Sequence, residues 1–210
     1  IVDNIPISET FADIGCDHGY VAEAMLKTEK CKTAIISDIS EKCLKKAERL
    51  LEQYISDGRA KAIVSDGFDK LPCVDTALIA GIGGEETIKI LKKADNLPEN
   101  LVLSPMKNVP AVRSYLNSIG YKTIKDFIFK AGGKFYDLIC LKKGKKGGEV
   151  LDEEAILFGK TNIEKPETAF YEWAKREYEK MIVYSERANE TDKEKILEKA
   201  KRLEKYVFDK

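Results

Sequence analysis

The stretch YKTIKDFIFKAGGKFYDLICLKK, residues 121–143, decides the fold. Its two flanks, 121–130 and 134–143, are rich in β-branched and aromatic residues and are joined only by Ala131-Gly132-Gly133. So short a link closes an antiparallel hairpin, because a parallel crossover takes about a dozen residues or more. The sheet that contains this hairpin therefore has at least one antiparallel pair, whatever lies upstream.

Upstream, strands and helices alternate. Strands are expected over 10–15, 32–39, 60–67, 75–84 and 101–105, with helices over 20–28, 41–56, 85–95 and 109–119. In the second helix Cys43, Leu44, Ala47, Leu50, Leu51 and Tyr54 recur at helical spacing, and Ser40 stands where an N-cap belongs. Alternation of this kind builds a parallel sheet with helices on its faces. Five β–α units closed by an antiparallel hairpin do not make the six-stranded parallel dinucleotide fold. They fit an α/β, Rossmann-like, seven-stranded domain of the S-adenosylmethionine (SAM)-dependent methyltransferase type, whose last strand inserts antiparallel.

Downstream, KKGKKGGE (142–149) reads as a polar linker. The expected organisation is a SAM-binding domain over 1–148 and a helical hairpin of coiled-coil type over 149–210. LDEEAILFG (151–159) is a short helix stopped by Gly159, and Pro166 opens a long one with Phe170, Trp173, Ala174, Met181 and Ile182 on one face. TDKE (191–194) reads as a capping box before a second helix, with Ile196, Leu197, Ala200, Leu203 and Val207 on its apolar face.

The 210 residues carry 36 basic and 36 acidic side chains, so net charge exerts no pull toward nucleic acid or anionic membrane. The hydrophobic fraction of 43% is ordinary for a globular chain, and no apolar run is long enough to span a bilayer. Five cysteines without a C-x-x-C pair argue against a disulfide framework or a structural zinc, and fit free thiols in a reducing cytoplasm. No metal is expected.

The chemistry is concentrated in DIGCDHGY (13–20), between the first strand and the first helix. A glycine loop there lets backbone N–H groups and a helix N-terminus approach a ligand. The spacing Asp13-x-Gly15-x-Asp17-x-Gly19 is the D-x-G-x-G-x-G loop of SAM enzymes with aspartate at the middle glycine. An extra carboxylate suits a cationic ligand and repels a pyrophosphate. Asp38, with Ile39, ends the second strand, where an acid accepts hydrogen bonds from ribose hydroxyls; Asp66-Gly67 ends the third, where such enzymes meet the adenine ring. Ala80-Gly81-Ile82-Gly83 ends the fourth and allows close approach of the reacting groups. Enzymes that methylate exocyclic amines often carry (Asp/Asn)-Pro-Pro-(Tyr/Phe) at that point, so its absence favours a ring nitrogen or another nucleophile. Cys16 and His18 count with the loop, Cys16 as packing and His18 as a positioning group, since no Cys–His–acid set supports nucleophilic catalysis. Asp17 and Tyr20 are the candidates for the reacting centre. Lysines cluster over 122–146, and Arg113, Lys142, Lys143, Lys145 and Lys146 are candidates for RNA phosphates.

These stretches together resemble a family, the bacterial tRNA adenine-N1 methyltransferases acting at position 22, the TrmK-like proteins. The resemblance runs through ADIGCDHGYV, SDISEKCLKKA, DGFDKL, LIAGIGG, LVLSP, VRSYLNSIGY, GGKFYDLI and the tail block FGKTNIEKPETAFYEWAKREYEKM. It implies SAM as cofactor, tRNA as partner, and a Rossmann-like domain followed by a helical hairpin. The family's fifth strand usually ends in Gln-Pro-Asn; here Ser104-Pro105-Met106 stands beside the expected target pocket. Two other readings stay open at this point: a small-molecule SAM methyltransferase, and a non-catalytic SAM- or RNA-binding homologue.

Overall fold

The computed structural model describes residues 1–145 and 149–208. Seven strands form one sheet: β1 (Ser8–Ile14), β2 (Cys31–Asp38), β3 (Ala60–Val64), β4 (Thr76–Ala80), β5 (Asn100–Ser104), β6 (Tyr121–Ala131) and β7 (Lys134–Lys143), in the order β3-β2-β1-β4-β5-β7-β6. The first five strands are mutually parallel, and β7 inserts antiparallel between β5 and β6. The hairpin expected from its three-residue link is present with the expected flanks.

Apolar residues that alternate along each strand feed two cores. Phe11, Leu78, Val102 and Leu138 face helices α1 (Tyr20–Lys27) and α2 (Glu41–Leu50). Ala12, Ile79, Leu103 and Ile139 face α4 (Gly84–Lys93) and α5 (Val109–Ser118). The helix expected over 41–56 is broken at Leu51, after which a separate turn, α3 (Glu52–Ser56), follows. Ser40 caps α2 by accepting from the N–H of Cys43 at 3.3 Å, as its position implied.

The tail comprises α6 (Glu153–Phe158), α7 (Lys160–Glu164), α8 (Thr168–Ser185) and α9 (Glu190–Phe208). The expected capping box at Thr191 is displaced: Asn189 accepts from the N–H of Asp192 at 2.9 Å, so the helix starts two residues earlier. Phe158, Phe170, Ala174, Leu203 and Tyr206 form a third core with Ile128 of β6. Phe170 stacks near Trp173 and meets Tyr206 edge-on at 4.8 Å, whereas Leu197 is exposed.

Strand β6 is a sheet edge, whose free N–H groups invite another strand. The tail occupies them. Thr161 Oγ1 accepts from Asp126 N–H at 2.8 Å, and Asn162 Oδ1 accepts from Ile128 N–H at 3.0 Å. Farther down, Glu149 accepts from the N–H of Thr123 at 2.9 Å. The short α7 thus takes the place of an eighth strand, a role with no signature in local periodicity.

Candidate active site

Because β1 to β5 are parallel, the loops that follow them emerge at one edge of the sheet. A pocket of about 220 Å³ opens there. It gathers six of the expected cofactor contacts, Gly15, Asp38, Ile39, Asp66, Gly67 and Ile82, and adds Ile14, Ser65, Glu86 and Ile90. Glu86 and Ile90 lie one helical turn apart on α4, so helical spacing from the AGIGG loop could have revealed them. A larger cavity of about 420 Å³ lies between the 68–74 segment and the end of α4, and contains none of the expected contacts.

The acids differ in what holds them. Asp38 Oδ1 accepts from the N–H of Ser40 at 2.8 Å, and Oδ2 has no hydrogen bond among the described residues. Asp66 receives Lys93 Nζ at 2.6 Å at the other end of the pocket. Asp13 is only 5% exposed. Burial pushes its carboxyl up to about 7, against the backbone N–H of Ala22, which donates to it and pulls the other way. It therefore ties the start of α1 to the end of β1 and does not line the pocket.

Asp17 sits in left-handed backbone at φ 45° with its side chain in solvent. His18 Nδ1 lies 2.7 Å and Lys46 Nζ 3.4 Å from its two oxygens. Desolvation opposes ionisation, but the hydrogen bonds and charges of Lys46 and His18 together outweigh it and hold the carboxyl below the usual range. The His18 ring stacks on Tyr20, centroids 5.4 Å apart and 5° from coplanar, and Tyr20 is 64% exposed. Two loop residues turn inward. Gly19 abuts α2, where an added Cβ would lie 2.9 Å from that of Ala47, so its lack of a side chain serves helix packing. Cys16 packs against the first core, and burial with neighbouring acids raises its thiol beyond reach of ionisation.

The loops after β4 and β5 are laced together by backbone bonds. Gly81 N–H donates to Ser104 O at 3.1 Å, Met106 N–H to Ile82 O at 2.9 Å, and Gly84 N–H to Lys107 O at 2.9 Å. Gly84 makes this possible, since a Cβ there would lie 2.4 Å from the Lys107 carbonyl oxygen. Ala80, Gly81 and Gly83 therefore build the loop that positions Ile82. Ser104 is buried, Pro105 follows it under the same lacing, and Met106 projects outward, 62% exposed.

One expectation fails, and the lysines lie away from the pocket. Arg113 is not on an RNA-facing surface; it is 3% exposed. Its guanidinium bonds Asp126 at 2.7 and 2.9 Å and Asp137 at 2.6 Å, and donates to the carbonyls of Ile156 and Leu157 at 3.3 and 3.2 Å. It ties α5, β6 and β7 to the end of α6. Lys142 and Lys143 are exposed but lie at the opposite edge of the sheet, because Lys142 pairs with Asn100 at the start of β5. Lys143 donates to Leu97 O at 3.2 Å, and Lys145 follows beyond that edge. Antiparallel insertion of β7 reverses the end at which these lysines emerge. Lys146 lies outside the described residues. Among the described residues no group of three or more potential metal ligands occurs, and no helix is long and apolar enough to cross a membrane.

The mixed sheet, the glycine loop and acids at successive strand ends define the class of Rossmann-like SAM-dependent methyltransferases. Matching across residues 11–207 goes further: the chain belongs to the TrmK family, tRNA (adenine(22)-N(1))-methyltransferase. It is 28% identical over 151 residues to the tRNA (adenine(22)-N(1))-methyltransferase of Bacillus subtilis, covering 70% of this chain and 63% of that one. The structure of Mycoplasma capricolum TrmK with S-adenosylhomocysteine superimposes with a TM-score of 0.87 at 24% identity, covering 98% of this chain and 93% of that one. The B. subtilis TrmK structure gives 0.83 at 24% identity, with 98% and 93% covered. The family's activity is SAM-dependent methyl transfer to N1 of adenine in tRNA, and this chain is an enzyme of that class.

Proposed function

We propose that this chain methylates N1 of adenine 22 in tRNA, with the cofactor's ribose hydroxyls on Asp38 and its adenine between Ile39 and Asp66-Gly67. The observation that carries the placement is the pocket itself: it joins the ends of β1, β2 and β3 and presents a carboxylate oxygen of Asp38 with no protein partner. These residues fit the group, since ribose hydroxyls donate to carboxylates and the sulfonium and ammonium prefer an acidic loop to a basic one. SAM supplies an electrophilic methyl carbon, so the protein's part is orientation and exclusion of water.

The loop after β4, braced against that after β5, forms the floor on which donor and acceptor meet. N1 lies on the pairing edge of adenine, so the base enters unpaired or flipped out. Tyr20 and Asp17 border that entrance, Tyr20 as an exposed ring and Asp17 as an ionised carboxylate. Ser104, Pro105 and Met106 form its far wall, with Met106 offering an apolar, polarizable contact where the family usually has asparagine.

The tail reaches the same side. Phe170 packs with Ile128, Lys130 Nζ meets Glu172 at 2.5 Å, and Arg176 lies over Phe135. Helix α8 thus climbs β6 toward the hairpin tip and continues past it on the cofactor edge. A helical unit over 149–210 that grips the tRNA body, beside a methyltransferase unit over 1–148, is the reading this supports, in a cytoplasmic enzyme.

Incubation with labelled SAM and unmodified bacterial tRNA, followed by mass spectrometry of nucleosides, tests it. The expected product is 1-methyladenosine at position 22. Label confined to guanine, cytosine or the N6 of adenine would overturn the target assignment.

A further inference from the structure

The outer hairpin extends beyond the rest of the sheet. Leu103 of β5 pairs with Ile139, so β7 residues 134–137 stand above the end of β5, an overhang of about 13 Å at strand rise. Its two faces are treated differently. Ile128, Lys130 and Phe135 point to the face that the tail covers. Phe127, Phe129 and Tyr136 point to the other face, the one shared with α1, and all three are only half-buried. Phe129 and Tyr136 are cross-strand partners whose rings stack 5.5 Å apart at 24°, and Phe127 follows at 6.4 Å. Lys134 shares their face by strand alternation, is exposed, and makes no ion pair among the described residues.

A second ring pair, His18–Tyr20, stands at the same edge at the start of α1. The strand order β1-β4-β5-β7-β6 places the loops after β4 and β5 between the two pairs. The pairs therefore bracket the position of methyl transfer, and β1 and β7 are about 14 Å apart, three strand spacings. A flipped nucleotide and its neighbour on one strand fit that width. Half-exposed rings beside an unpaired lysine are the elements with which proteins hold single-stranded nucleic acid, the rings stacking bases and the cation meeting phosphate.

We infer that Phe129 and Tyr136 form a stacking subsite for an unpaired base next to the methylated one, with Lys134 on the adjoining phosphate. The subsite rests on the tRNA reading and adds a nucleotide contact to it. Tyr136→Leu keeps apolar volume and removes the ring; Tyr136→Phe keeps the ring. Binding of unmodified tRNA transcript is measured at fixed salt by filter retention, alongside KM and kcat for methylation and SAM affinity by calorimetry. Tyr136→Leu is expected to weaken tRNA binding and raise KM for tRNA about ten-fold, with kcat and SAM affinity near wild type, and Tyr136→Phe to restore both. Wild-type KM and tRNA affinity in Tyr136→Leu would overturn the subsite and leave the enzyme's function intact. Equal loss in Tyr136→Leu and Tyr136→Phe would also overturn it, by tracing the effect to the hydroxyl. A wild-type enzyme that transfers no methyl to tRNA would instead refute the functional reading, and the binding measurements would then judge the subsite alone.

Discussion

Two charge clusters in this protein look alike on paper and do opposite things. Arg113 with Asp126 and Asp137 is sealed: the guanidinium is nearly inaccessible, and its N–H groups meet two carboxylates and two helix-end carbonyls. Asp17 with His18 and Lys46 is open, with side chains about half in water and one contact as long as 3.4 Å. In the first, burial raises the carboxyl of Asp137 despite Arg113 beside it. In the second, Lys46 and His18 favour the ionised form of Asp17, and the side chains stand in solvent where an incoming ligand can reach them. A satisfied, buried network fixes architecture; a loose, wet one is available for binding.

Breaking the sealed cluster has the largest expected effect. Arg113→Ala leaves the buried Asp126 and the half-buried Asp137 without their cation and should destabilise the fold by about 3–5 kcal/mol. Urea denaturation measures this, and a loss below about 1 kcal/mol would show that the cluster is not structural. On the open side, Asp38→Ala should leave stability unchanged and weaken SAM binding by roughly 1.5–3 kcal/mol, the range for hydrogen bonds to a charged group. Calorimetry returning wild-type affinity would remove Asp38 from the ribose.

Asp13 lies between the two cases, next in sequence to the pocket-lining Ile14 and Gly15 yet itself buried. The unfolded chain releases its proton near 3.8 and the folded chain near 7, so stability falls as pH rises between those values and is level above them. Asp13→Asn should flatten that slope and gain roughly 1–2 kcal/mol at pH 8. Melting temperatures across pH 4–8 decide it; an unchanged slope would mean that another group causes it.

The smallest effect is expected at the far edge. Lys142→Glu with Lys143→Glu should alter stability by less than about 0.5 kcal/mol. The same pair should change tRNA affinity less than Lys107→Glu, Lys107 lying in the loop after β5. Filter binding at fixed salt compares them, and a greater loss from the Lys142/Lys143 pair would place RNA on the edge away from the cofactor.

The hairpin was legible because three residues between two β-rich runs admit one local solution. The first four strands were legible for a similar reason, each being a short apolar run ended by glycine or aspartate, and the fifth by its run into Ser104-Pro105. The positions of Asp38 and Asp66 followed from knowing that parallel strands deliver their ends to one edge. Arg113 was misread because a cation in an amphipathic helix carries no mark of the partners 13 and 24 residues away that bury it. The edge that Lys142 and Lys143 reach was not legible, because a basic run gives charge and not direction. Asp13 and Asp17 share one motif, yet only the packing of α1 over the first shows which of them is withdrawn from solvent.

Sequence by itself determined the element types, the hairpin, the class of fold and the set of acids at strand ends, all of which depend on spacing and chain connectivity. Tertiary structure alone decided which charges are buried and which edge each lysine reaches. It also decided that Thr161 and Asn162 finish the sheet and that a row of rings on the outer hairpin is left half-buried. Burial and pairing depend on groups far apart along the chain, and local patterns do not encode which of those groups will meet.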